Sequence, residues 1–159
     1  TLSMPEMDKR YQTYAQFRDD IAMSMGGYVA ERMIYGDDML STGPSSDLKK
    51  ATQLATSMVM RYGMSDKLGP RVYGENEELI FLAQEIHEKK NYSEKTAEAI
   101  DGEINHILNE AKNRAEVVLK ERVAEMRRLV AVLLKKETVE QEEFRKIMSG
   151  EGELPAAAA

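Results

Sequence analysis

Few side chains in this sequence are equipped for chemistry. It contains no cysteine, which removes disulfides, thiolate metal sites and cysteine nucleophiles together. The two histidines, His87 and His106, fall on different elements, and neither belongs to an HxxxH pair that would set two imidazoles on one helical face for zinc. His87 reads as a solvated loop residue and His106 as a residue on a helix flank. Serines and threonines are numerous, but no GxSxG elbow occurs and no candidate base stands beside one. No GxxxxGK[ST] loop is present, so this stretch has no ATP site of its own, and the glycine pairs do not form GxGxxG. The acidic run Glu75 to Glu78 reads as a solvated loop face. The eleven methionines read mostly as filler of apolar faces. One segment stands apart: Ser41-Thr42-Gly43-Pro44-Ser45-Ser46-Asp47-Leu48. On chemistry alone it is a loop followed by a helix cap, with the Asp47 carboxylate favoured at the positive end of the helix dipole.

These residues must be positioned by helices. Thr13-x-x-Gln16 is a capping-box pattern, and Phe17, Ile21, Met25 and Val29 then recur every fourth residue, with Ala22 and Met33 near the same face. This predicts an amphipathic helix to about Tyr35. Gly26-Gly27 in its middle costs about 1 kcal/mol per glycine relative to alanine, so another element is expected to pack close to that backbone. A turn-rich stretch from Gly36 to Pro44 leads to a second helix, capped by Ser45, Ser46 and Asp47. Its face is Leu48, Ala51, Leu54, Ala55, Met58, Val59 and Tyr62, and Gly63 is its stop. Met64 to Gly74 reads as a loop, and Leu79 to Ala83 as a strand or a helical turn. Ser93 caps a third, longest helix with the stripe Ile100, Ile104, Ile107, Leu108, Ala111, Ala115, Val118 and Leu119; Glu110–Arg114 and Glu116–Lys120 are expected as i,i+4 pairs outside it. A fourth helix turns Val123, Met126, Val130, Leu133 and Leu134 inward, and period alone leaves open whether it continues the third or folds back. Thr138 is expected to begin a short fifth helix with Val139, Phe144 and Ile147. The fold class is therefore mainly α: about five helices with irregular loops, over one domain at 1–150, with an extended leader at Thr1 to Gln12 and a frayed tail at 151–159.

Composition narrows the partners. Hydrophobic residues are 42% and charged residues 31% of the 159, a globular balance. Twenty-two basic against 28 acidic side chains leave a net charge of −6, which argues against nucleic acid, since phosphate affinity rests on Lys and Arg. The longest apolar run, Leu129 to Leu134, is far short of the about 20 residues of a membrane span. Because the first residue is Thr1, the sequence is expected to be a piece of a longer chain.

Four ordered stretches resemble the peptidase domain of the FtsH family, the membrane-anchored AAA ATP-dependent zinc metalloproteases. Gly26-Gly27-Tyr28-Val29-Ala30-Glu31-Arg32-Met33-Ile34-Tyr35-Gly36 is similar to the family's GGRxAEExxxG. Ser41 to Thr52 is similar to TGAxNDLxxAT, and Met58 to Gly69 to MVxxxGMSxxLG. Tyr92-Ser93, Ile100-Asp101 and Leu133-Leu134-Lys135-Lys136-Glu137-Thr138 are similar to YS…ID…LLxxET. The likeness covers about Thr1 to Ile147.

The resemblance implies a helical peptidase domain in a hexameric ring that degrades membrane and misfolded proteins. It implies Zn²⁺ as cofactor, ATP bound by a separate domain, and a parent anchored in a bacterial inner membrane or an organelle membrane with its peptidase domain on the soluble side. In the family two histidines of an HExxH helix and a carboxylate of the TGAxNDL segment hold zinc, and the HExxH glutamate is the general base. Asp47 matches the carboxylate and is the expected third zinc ligand. Glu31, mid-helix, is an alternative carboxylate for which a structural role is favoured. No HExxH occurs in this sequence, so it is expected to begin after that helix, to hold no catalytic residue and to be inactive alone. Tyr28 stands for the usual Arg, Arg32 for the second Glu, and Pro44-Ser45-Ser46 for Ala-x-Asn. The alternative reading is a non-catalytic helical interaction or assembly module.

Overall fold

The computed structural model describes residues 11–74 and 91–150. The expectations for the leader before residue 11, for Glu75 to Glu78, Leu79 to Ala83 and His87, and for the tail after 150 lie outside the described residues. Among the described residues there are α-helices and one 3-10 turn, with no strand, as the patterning predicts. The chain divides into two compact units, Thr1–Ala115 and Glu116–Ala159.

In the first unit, α1 (Tyr14–Tyr35) starts at the capping box: the Thr13 side chain accepts from the Gln16 backbone N–H, and the Gln16 carboxamide oxygen accepts from the Thr13 N–H at 2.8 Å. Its period-four stripe is buried as expected: Phe17, Ile21, Met25 and Val29, with Ser24 beside them. It packs on α2 (Ser45–Met60), whose inward residues are Ala51, Ala55, Met58 and Val59, all without solvent exposure. Two alanines one turn apart let the helix backbones approach, and Ile21, Met58 and Val59 fill the seam. Each such large side chain contributes about 1.5–3 kcal/mol when fully buried. Met23 and Met39 point to water, so not every methionine is filler.

Three details of this unit differ from the sequence reading. No side chain caps α2: Pro44 occupies the cap position, and Ser45 and Asp47 already belong to the first turn. The helix ends at Met60, before Gly63, and Tyr62 lies beyond it, half exposed and tilted against the Phe17 ring at 5.4 Å. Gly63, at φ +60°, turns the chain where a Cβ would come 3.0 Å from the Pro70 backbone, so glycine is required there. The loop that follows is stitched down. Tyr73 N–H donates to Met60 O at 2.8 Å, Tyr73 Oη donates to Leu68 O at 2.8 Å, and buried Ser65 donates to Glu103 at 2.8 Å.

α3 (Glu94–Glu121) begins after Ser93, whose hydroxyl accepts from Thr96 N–H at 3.3 Å. Ile100, Ile107, Ala111 and Ala115 are its buried residues. Glu110 and Arg114 do not pair with each other. Arg114 reaches Asp19 of α1 at 2.7 Å, and Glu110 takes Arg18 at 3.5 Å and His106 at 3.8 Å. An adjacent helix offered better partners than the i,i+4 neighbour.

In the second unit, Arg122 (φ −117°, ψ 25°) interrupts the helix, and α4 (Val123–Lys136) follows. Glu116 and Lys120 pair at 2.6 Å as expected. The inward assignment of α4 is corrected. No residue of α4 is buried, and Val130, Leu133 and Leu134 are exposed, Leu134 by 81%. The periodicity marks a common face, but Val130, Leu133 and Leu134 on it stay open to solvent. Glu137, at φ 61° and ψ −26°, closes α4 in the left-handed region with its N–H on Leu133 O. That residue redirects the chain, so Thr138 and Val139 serve as a link. α5 (Gln141–Ser149) starts after Glu140, later than expected, and packs on α4 through buried Ile147 and the Lys136–Glu143 pair at 2.5 Å.

Candidate functional site

The first turn of α2 returns the chain to α1. Ser45 N–H donates to Thr42 O at 3.1 Å and Leu48 N–H to Pro44 O at 2.9 Å, and Pro44 is buried, so the helix start is anchored from both sides. Asp47 stands in that first turn, exposed, where its negative charge opposes the helix dipole favourably. Its Oδ2 lies 3.9 Å from the point a Cβ of Gly27 would occupy. Among the described residues, setting aside the adjacent residues and α1's own backbone, no other atom lies within 4 Å of that point, and none lies within 4 Å of the corresponding point on Gly26. The close backbone approach expected at the glycine pair is therefore absent among the described residues. The glycines instead leave α1 bare beneath the Asp47 carboxylate.

Two further charged residues lie along α1 beyond Gly27, Glu31 and Arg32. Glu31 follows Gly27 by one helical turn and so shares its side of α1. Its Oε2 is buried with no hydrogen-bond partner among the described residues. A buried carboxylate oxygen without a partner is costly and calls for explanation. Arg32, at the last turn, grips Asp37 through Nε to Oδ1 and through Nη2 to Oδ2 at 3.0 Å. The hydrogen bond that Arg32 donates to Asp37, and the charge of that carboxylate, raise the Arg32 guanidinium above its ordinary pKa. This pair was not legible from spacing, because the separation of five bridges a helix end; Gly36, at φ +81°, is the signal that the chain doubles back there.

Asp47 makes no hydrogen bond or ion pair among the described residues, leaving both oxygens free to coordinate. Zinc takes carboxylate oxygens as readily as imidazoles, usually four ligands in all. Asp47 fits one corner of such a site, an unpaired hard ligand on a rigid helix start. The full set is not here: among the described residues no three His, Asp or Glu side chains gather as a metal-binding group. His106 is exposed on α3 and lies 3.8 Å from Glu110 of the same helix.

The helical architecture without a strand among the described residues is that of a mainly-α peptidase domain of the FtsH type. The chain belongs to this family: the profile of Peptidase family M41 matches residues 1–147. It is 41% identical over 151 residues to the ATP-dependent zinc metalloprotease FtsH 1 of Thermoanaerobacter sp. (strain X514), covering 95% of this chain and 24% of that protein. It is 41% identical over 148 residues to the FtsH of Caldicellulosiruptor bescii, covering 93% of this chain and 24% of that protein. To the FtsH of Chloroflexus aggregans it is 40% identical over 149 residues, covering 93% and 23%. The chain thus spans about a quarter of the length of these relatives.

Proposed function

We propose that this chain is the helical part of the peptidase domain of an ATP-dependent zinc metalloendopeptidase, with Asp47 supplying the carboxylate ligand to zinc. The observation that carries the reading is the free Asp47 carboxylate held by the start of α2 over the bare Gly27 backbone. It is supported by the names of relatives about 40% identical, all ATP-dependent zinc metalloproteases. Zinc in such a site supplies the Lewis acid for peptide hydrolysis. This chain's part is to fix one ligand: α2 sets the direction of Asp47, and Gly27 keeps space clear beneath it. The remaining ligands and the general base belong to an HExxH segment outside this sequence. The 159 residues by themselves are therefore inactive towards protein substrates, and a separate domain binds ATP. The parent works as a homo-oligomeric ring on membrane and misfolded proteins and is membrane-anchored; no helix among the described residues is long and apolar enough to cross a membrane.

Substituting Asp47→Asn in the intact protein tests the assignment. Because the side chain is exposed and the replacement isosteric, the fold should persist while zinc content and casein cleavage are lost. Retention of stoichiometric zinc and full cleavage would transfer the role to Glu31 or abolish the site.

A further inference from the structure

The connection from α1 to α2 decides where Asp47 sits, and its first half has little backbone to hold it. In the 3-10 turn Asp37–Met39 the hydrogen bonds Met39 N–H to Gly36 O and Leu40 N–H to Asp37 O are both long, at 3.4 Å. The second half is firmer: Gly43 N–H reaches Ser41 Oγ at 3.0 Å, Ser45 N–H reaches Thr42 O, and Pro44 is buried. What ties the first half to α1 is the two-pronged grip of Arg32 on Asp37. Such fork-to-carboxylate pairing fixes direction as well as distance, which a lysine would not. Arg32 rides on the same helix that carries Gly27 and Glu31, directly after Glu31. The clamp therefore refers the start of the loop to the same rigid body that lies beneath Asp47.

We propose that Arg32 and Asp37 form a positioning pair that sets the register of loop 36–44 and thereby the placement of the Asp47 carboxylate as a metal ligand. The pair is solvent-exposed, so its value lies in geometry rather than in global stability. Replacement of either member leaves the helices intact but lets the 3-10 turn wander. This rests on the reading of Asp47 as a zinc ligand, and the experiment separates the two.

In the intact protein, zinc affinity is measured by competition with a chromophoric chelator for Arg32→Gln, Asp37→Asn, the reversal Arg32→Asp with Asp37→Arg, and Asp47→Asn. Backbone amide exchange across 36–47 is followed in parallel. Each single change is expected to weaken zinc binding about tenfold, the lower end of what outer partners of a ligand contribute. Each should also speed exchange in 37–43, and the reversal should restore both. Unchanged affinity and exchange in the single variants, or no recovery on reversal, overturns the inference. If Asp47→Asn alone leaves affinity intact, the ligand assignment fails, and faster exchange in the clamp variants still reports the loop's dependence on the pair.

Discussion

The Asp47 Oδ2 stands 3.9 Å from where a side chain on Gly27 would begin. One helix thus lends its bare backbone to the acid of another, and a glycine that weakens α1 as a helix keeps room beside the candidate ligand. The distance is an ordinary van der Waals contact, which makes the consequence graded by size.

Gly27→Ala should be tolerated at the site and should stabilise the first unit by up to about 1 kcal/mol, the usual helix-propensity gain. Gly27→Leu should instead push the carboxylate aside. Thermal unfolding and zinc affinity of the intact protein check both: alanine raises the midpoint and leaves affinity unchanged, whereas leucine lowers affinity.

At the other end of α1, Thr13→Ala removes the hydroxyl that accepts from Gln16 N–H and one half of the reciprocal cap. The expected cost is about 1 kcal/mol, with Thr13→Ser close to the parent. Urea unfolding with unchanged slope would register this as a shift of midpoint only.

Met58 has no exposed surface and sits in the α1–α2 seam. Met58→Ala should cost about 2–5 kcal/mol, and Met58→Leu under about 1.5 kcal/mol, since volume is nearly conserved. Equilibrium denaturation distinguishes these. Equal effects from the two substitutions would contradict the packing described.

Glu125, in the first turn of α4, has its carboxyl held below the ordinary value, chiefly by its own backbone N–H and then by Arg122. A lowered folded value means that the folded state keeps the charge to lower pH than the unfolded chain does. The contribution is present above about pH 4.3, the ordinary glutamate value, and is lost as pH falls through the depressed one. An NMR titration should find the Glu125 carboxyl titrating below the ordinary glutamate value, and Glu125→Gln should flatten that part of the acid limb.

Much of the fold was legible because its signals are local. The Thr13–Gln16 box and the residues 17, 21, 25 and 29 share one helix, so periodicity found both the start of α1 and its buried face. The exposure of Val130 and Leu134 was not legible, since a period says which side chains share a face and nothing about what covers it. The pairing of Arg114 with Asp19 depends likewise on a neighbour distant in sequence. For the site, Asp47 was legible as an acid at a helix start and, through resemblance, as a ligand. Its seat over Gly27 required the return of α2 onto α1, which is tertiary information, and the Arg32–Asp37 grip required the backbone turn at Gly36, which no spacing rule gives.

Glu137 holds a left-handed backbone at the close of α4, a conformation in which a Cβ is crowded and glycine is the favoured occupant. Glutamate and glycine codons differ by a single middle base. The turn between α4 and α5 is therefore one transition mutation away from relief of about 1 kcal/mol of backbone strain. A mutational library selected for heat resistance should find Glu137→Gly early, by the shortest genetic path.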